Sequence, residues 1–306
     1  MDVNYVLITG GTGFIGKPLC QLLLDQGWKV CVLTRNPKQA DLLQHPHLHY
    51  VQHLQNVPLE QPLDAVINLA GQPLDSHRWS EKTKQHFIQS RTALTSSLVS
   101  WIKQLDKPPD VLISGSAIGW YGHHNTEALT ESSTANPCFA NDLCSQWEAA
   151  AQVLQNIGTR LCLLRIGIVL EKDGGPLAAL LPSYRFGMGG KIGDGQQYWS
   201  WIHRKDLIDS ILFLLNNSDI NGPVNATAPC PVTQNEFSQA LGKVLNRPTL
   251  FNMPEFLATL LLGEFAQELL IKGQRVIPKT LENAGFEFTF ANLDNALDNI
   301  INIHKA

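Results

Sequence analysis

The sequence predicts a doubly wound α/β fold, and three observations predict it. Short aliphatic and β-branched runs alternate with amphipathic helical patterns through the first half of the chain. Those runs are almost continuously apolar, as strands covered on both faces are. Glycines at positions 10, 13 and 16 stand between the first strand and the first helix, where a parallel α/β unit turns.

Taken in order, YVLITG (5–10) reads as a strand, GKPLCQLLLDQG (16–27) as a helix and KVCVLTR (29–35) as a second strand. LDAVINLAG (63–71) is a further strand, followed by the amphipathic stretch 81–105. DVLISGSA (110–117) is the next strand, 139–156 the next helix, and RLCLLRIGIVL (160–170) one more strand. After about residue 170 the rhythm changes: 171–197 is rich in glycine and reads as loop plus one helix. A helix over 203–217 and a strand over 222–229 then restore the α/β pattern. The last eighty or so residues read as a small helical lobe with turn signals at NRPT and IPKT. The expected architecture is a dinucleotide-binding (Rossmann) domain over 1–168 and 202–226, with a smaller discontinuous substrate lobe over 169–201 and 227–306.

Composition narrows the partners. The chain has 306 residues, 16% of them charged, and a formal net charge of -4 with Lys and Arg scattered, so nothing points to nucleic acid or an anionic surface. The longest apolar run, at 256–263, is too short to span a bilayer, so no membrane partner is expected. The six cysteines show no CxxC spacing and mostly have apolar neighbours, which predicts reduced, buried thiols in a cytoplasmic protein. HPHLH (45–49) lies in a polar connection without a carboxylate partner, and no metal is expected there.

The glycines have separate tasks. Gly10 permits the tight turn off the strand, Gly13 lets the backbone approach a pyrophosphate, and Gly16 lets the helix pack on the sheet. The phosphates then face the helix N-terminus, where free N–H groups and the macrodipole favour negative charge. Phe14 and Ile15, between the glycines, belong to the same cofactor set. An NAD-preferring site carries Asp or Glu at the end of the second strand. This chain has Thr34 and Arg35, and a guanidinium suits the 2′-phosphate of NADP(H).

TGGTGFIG, NLAG (68–71), SGSAIGWYG (114–122) and WIHRKDL (201–207) occur in this order, and together they resemble an extended short-chain dehydrogenase/reductase. More narrowly, RWSEKTKQHFIQSR, LRIGIVLEKDGG and GMGGKIGDGQQYWSWIHRKDL resemble the atypical "epimerase family protein" subgroup, which is sugar-nucleotide epimerase-like, along essentially the whole chain. The resemblance implies that Thr34, Arg35, Leu69 and Ala70 line the adenosine side, and that Gly71 brings backbone close to the cofactor. It implies that Arg91 adds a second cation, with Ser114 and Ser116 beside the nicotinamide.

The same resemblance exposes a gap. Relatives relay a proton through Tyr and Lys four apart on the helix after SGSA. With Glu148 as the acidic residue that follows that motif, Ala140 and Cys144 stand at those positions; a one-residue shift gives Phe139 and Leu143. Ser116 and Tyr121 are the remaining catalytic candidates, with His203 behind them and Asp206 expected to cap the following helix. Tyr184, Arg185, Lys191, Gln196, Gln197 and Tyr198 are candidates for substrate contact, and Gln274, Arg275 and Lys279 more remotely so.

Two readings stay open. One is an NADP(H)-binding, epimerase-like oxidoreductase acting on a small polar, nucleotide-sugar-like carbonyl compound. The other is a non-catalytic dinucleotide-binding sensor or assembly protein. Relatives often pair through a four-helix interface, so a homodimer is a candidate assembly that the helix faces here leave open.

Overall fold

β1 (Tyr5–Thr9) is buried along its whole length, which its unbroken apolar run requires. The computed structural model describes residues 3–37, 43–74, 78–124, 126–154 and 157–302. From β1 the chain passes through the glycine turn into α1 (Gly16–Asp25), then β2 (Lys29–Leu33), β3 (Leu48–Val51) and β4 (Ala65–Asn68). α2 (Glu81–Ile102) starts at a reciprocal cap in which Ser80 Oγ accepts from the Thr83 backbone while the Thr83 side chain receives the Ser80 N–H. β5 (Val111–Ala117), β6 (Ala128–Leu129), α3 (Phe139–Gln152), β7 (Arg160–Ile166) and β8 (Ile168–Leu170) follow.

Seven of the strands form one parallel sheet. With β11 (Gly222–Ala226) at its far edge, the order is β11-β7-β5-β4-β1-β2-β3. The order reverses between β1 and β4, which opens a crevice outside their carboxyl ends, where open α/β sheets bind ligands. Alternation along β1 builds both cores. Val6 and Ile8 join the cluster that holds Leu19 and Leu23 of α1, while Tyr5 and Leu7 join the one with Leu98, Val99 and Ile102 of α2. Burying each such aliphatic side chain stabilises by roughly 1.5–3 kcal/mol.

The remaining elements are α4 (Gly175–Arg185), β9 (Tyr198–Trp199), β10 (Trp201–His203), α5 (Arg204–Asn216), β12 (Val232–Thr233) and α6 (Gln234–Leu245). After them come α7 (Glu255–Leu262), α8 (Glu264–Ala266), a π-helical turn (Gln267–Ile271), β13 (Arg275–Val276), α9 (Lys279–Asn283) and α10 (Leu293–Asn302). A third core, with Leu177 and Leu181 of α4, Trp199, Trp201, Phe237 of α6 and Leu297 of α10, fills this lobe.

Two expectations change. The 160–170 run is two strands, because at Gly167 the chain leaves the main sheet and β8 pairs with β10 instead. A Cβ at Gly167 would lie 2.6 Å from the Ser200 carbonyl oxygen, so the departure needs a residue without one. β3 is the other change: it takes in Leu48 and His49 at the end of the His-rich stretch, and its short, half-polar LHYV pairs along β2 as an edge strand. Among the described residues no helix is long and apolar enough to cross a membrane. Cys20, Cys31, Cys144 and Cys162 are buried free thiols, Cys138 is half-buried, and Cys230 is exposed, against the expectation of burial.

Candidate active site

The glycine turn is shaped by contacts that leave no room for side chains. Gly10 has φ +73°, and a Cβ there would lie 2.8 Å from the Leu69 carbonyl carbon; at Gly16 it would lie 2.1 Å from the Gly10 oxygen. Gly13 is exposed at the tip and donates its N–H back to Gly10 O at 3.0 Å. α1 has no side-chain cap at Ile15; in its first turn Lys17 N donates to Gly13 O at 2.9 Å, Leu19 N to Ile15 O at 3.2 Å, and Pro18 carries no N–H. These features fit a dinucleotide pyrophosphate. Phe14 lies differently: its ring packs on Gly174 and Gly175 under the Arg204 guanidinium, 5.0 Å away, and so ties the turn to the start of α4.

Around the turn, Leu69 donates its N–H to Thr9 O at 3.1 Å, and Ala70 donates to Thr9 Oγ1 at 3.2 Å. Both are partly exposed, and Gly71 is exposed beside them. Arg35 is exposed just beyond β2, and its guanidinium makes no ion pair among the described residues. Thr34 is partly exposed next to it, its hydroxyl accepting from Asn36 N at 3.4 Å.

Arg91 is buried beneath this edge. It donates to Gln72 O at 2.9 Å and Phe87 O at 3.1 Å, its guanidinium lies against the Gly71 backbone, and it stands 5.2 Å over the Trp147 ring. Its Nε has no partner, and burial lowers its pKa. Arg91 therefore braces the 71–72 segment from below and puts a positive charge under it.

Ser114, expected beside the nicotinamide, lies within β5. It is fully buried, and its Oγ accepts from Asn68 Nδ2 at 3.3 Å in a network that also joins Thr9, Thr95 and Trp147. This serine satisfies sheet groups.

The catalytic candidates belong to a second buried network. Ser116 Oγ donates to Glu148 Oε1 at 2.7 Å, and Arg165 grips both Glu148 oxygens at 2.9 Å. Arg165 Nη1 also donates to Tyr121 Oη at 3.1 Å, and Tyr121 donates its proton to Asn225 Oδ1 at 2.7 Å. The guanidinium lies 3.4 Å over the Trp120 ring. Arg165 and Glu148 are only 2% and 3% exposed, a geometry in which a charge pair persists because each charge is fully answered.

Tyr121 thus departs from the expected proton donor. It has no exposed surface, its proton points at Asn225, and burial pushes its pKa up despite the Arg165 charge. Ala140 and Cys144, one turn apart on α3, both face Gly119: a Cβ there would lie 3.1 Å from Ala140 Cβ and 3.6 Å from Cys144 Sγ. Burial, with the Glu148 charge adding to it, pushes the Cys144 thiol up to about 12, so it stays protonated at neutral pH.

His203 takes the capping role expected of Asp206. His203 caps α5, its Nδ1 accepting from Lys205 N at 3.0 Å, and it stacks on Phe290 at 4.0 Å. Asp206 instead accepts from the Thr289 and Phe290 N–H groups at 3.0 and 2.8 Å. In the lobe, Tyr184 and Gln197 are occupied with Ser238 Oγ and the Leu270 carbonyl. Arg185 and Gln196 are exposed and Lys191 partly so; Arg275, its Nε buried without a partner, lies 5.3 Å over the Tyr198 ring.

A family model described as the NAD dependent epimerase/dehydratase family matches residues 6–226, from the first strand of the sheet to its last. The chain belongs to that family. Residues 253–300 match a second model, a domain of unknown function (DUF1731). Within the epimerase/dehydratase family, an epimerase family protein of Staphylococcus haemolyticus is 38% identical over 96% of this chain and 98% of its own length. The chloroplastic SDR39U1 homolog of Arabidopsis thaliana is 38% identical over 95% of this chain and 85% of its own. The crystal structure of human epimerase family protein SDR39U1 (isoform 2) with NADPH superposes with a TM-score of 0.88 at 32% identity, covering 97% of this chain and 98% of that one.

Proposed function

We propose that this family member is an NADP(H)-dependent oxidoreductase, epimerase-like in build, acting on a small polar, nucleotide-sugar-like carbonyl compound without a Tyr-x-x-x-Lys pair. Arg35 carries the cofactor assignment: an exposed guanidinium, with no ion pair among the described residues, stands where NAD-preferring sites keep a carboxylate. The NADPH bound by the human relative supports the same choice.

Bound NADPH supplies a hydride. This chain's own groups do the holding. Gly10, Gly13, Phe14, Ile15 and Gly16 present the turn and the start of α1 to the pyrophosphate, and Thr34, Leu69 and Ala70 border the adenosine. Gly71 admits the backbone, with the Arg91 charge below it. Ser116 is the candidate beside the nicotinamide; its proton is held by Glu148, so it serves a carbonyl substrate only by turning from that partner. In this reading residues 1–168 and 202–226 bind the cofactor, 169–201 and 227–306 bind the substrate, and the protein works in the cytoplasm.

A second reading, a dinucleotide-binding sensor or assembly protein, is favoured by one observation. Ala140 and Cys144 occupy the face where a proton relay would stand, and neither exchanges a proton at neutral pH.

Calorimetric titration tests the first half. NADPH is expected to bind more tightly than NADH, and Arg35→Ala to remove roughly tenfold or more of NADPH affinity, as loss of a charged hydrogen bond does. Equal affinities in the unaltered protein overturn the 2′-phosphate assignment. Tight NADPH binding with no oxidation across a library of polar carbonyl compounds replaces the oxidoreductase reading with the sensor reading.

A further inference from the structure

Beside the N-terminus of α3, three side chains from distant parts of the chain converge. His123 comes from the segment after β5, Cys138 from the N-cap of α3, and Glu268 from the π-helical turn of the C-terminal lobe. One ligand atom from each lies within 4.8 Å of the other two, and all three residues are half-buried, hence shielded yet reachable. From this convergence we propose that His123, Cys138 and Glu268 form a divalent-metal site of the zinc class.

The donor set sets the class. One thiolate, one imidazole and one carboxylate suit a borderline-soft ion such as zinc, and are a poor set for magnesium or calcium, which take oxygen ligands. The spacing agrees. His123 Nε2 and Glu268 Oε1 are 3.2 Å apart, and a tetrahedral ion with its usual nitrogen and oxygen distances requires an N···O edge of about 3.3 Å. Three protein ligands leave a fourth position for water or a small ligand.

The surroundings hold the ligands in place. Asn141 N donates to Cys138 Sγ at 3.4 Å at the N-terminus of α3. Glu268 Oε2 takes the Ala140 N–H at 3.5 Å, and Asn136 Nδ2 fixes the His123 carbonyl at 2.8 Å. His123 Nδ1 is buried without a partner among the described residues, while Nε2 faces Glu268 Oε1 at 3.2 Å. Capping alone does not account for Cys138, because Ser, Thr, Asp and Asn cap far better than a thiol. The turn that carries Glu268 is π-helical, a rare geometry that concentrates at functional sites. A metal there joins the C-terminal lobe to α3 directly beside Ala140.

The test uses the full chain, stripped with a chelator, with Cys230→Ser introduced to remove the exposed thiol. Cobalt(II) is the probe, since coordination to a thiolate gives a near-ultraviolet charge-transfer band that His45 and His47 cannot produce. The expected result is one equivalent of cobalt bound with that band, displacement by zinc, and a raised Tm with zinc. Cys138→Ser keeps a good N-cap and is expected to abolish the band, while Glu268→Gln weakens cobalt binding at least tenfold. Absence of the band, or a band that survives Cys138→Ser, overturns the site. Neither readout involves NADPH, so its outcome is independent of the cofactor assignment.

Discussion

The two ends of the candidate active site are built on opposite principles. At the cofactor end, Gly13, Arg35 and Gly71 are exposed, and the Arg35 guanidinium has no ion-pair partner among the described residues. At the expected proton-relay end, Ser116, Glu148, Arg165, Tyr121 and Asn225 answer one another completely and are buried. An open end is prepared for a ligand, while a closed one spends its polar groups on the fold.

Breaking the closed end is expected to have the largest effect. Glu148→Gln leaves the Arg165 charge buried and half-answered, and is expected to cost ~3–5 kcal/mol in urea unfolding. A cost under about 1 kcal/mol would mean that water reaches the pair, and the contrast between the two ends would fail.

The open end responds in a different currency. Gly10→Ala forces a side chain into left-handed backbone against Leu69, so the NADPH-induced rise in Tm is expected to disappear. The accompanying loss of stability is ~1–2 kcal/mol, smaller than for Glu148→Gln. Retained NADPH binding would show that the turn is not the phosphate cradle.

Tyr121→Phe sharpens the comparison. It leaves Asn225 Oδ1 and Arg165 Nη1 without a buried partner, for an expected ~1–3 kcal/mol, with cofactor affinity unchanged. If a substrate is found, turnover by this variant is expected to stay near that of the unaltered protein; a fall of orders of magnitude would restore Tyr121 as a donor.

The smallest expected effect is at His203. Burial lowers its pKa below the ordinary 6.5, outweighing the Glu171 and Asp206 charges. The unfolded chain therefore takes up the proton first. This contribution to stability is complete above the unfolded value of 6.5 and is lost as pH falls below it through the lowered folded-state value. His203→Asn, which keeps a capping acceptor, is expected to flatten the slope of Tm over that range.

Much of the fold was legible because it rests on local periodicity. The apolar runs of β1, β2, β4, β5, β7 and β11 and the glycine turn announce the sheet and its ligand edge within a few residues each. β3 was not legible, since His49 and Tyr50 give a strand of four residues little apolar signal. The break at Gly167 depends on the Ser200 carbonyl, which no local pattern reveals. The buried network was hidden for the same reason: Tyr121 and Asn225 are 104 positions apart, and His123 and Glu268 are 145 apart. Residue types at the site were readable, but which of them answer each other is decided by tertiary structure.

The C-terminal segment offers its backbone N–H and C=O groups to side chains of the sheet domain. Asp206 receives Thr289 and Phe290, Glu131 receives Thr280, and Asn225 donates to Ile277 O. Each of these is a bond that neither lobe can replace from within itself. The two lobes therefore share one melting event: heat is expected to produce a single calorimetric transition, and a truncation before residue 277 to leave an insoluble remnant in place of a smaller working domain.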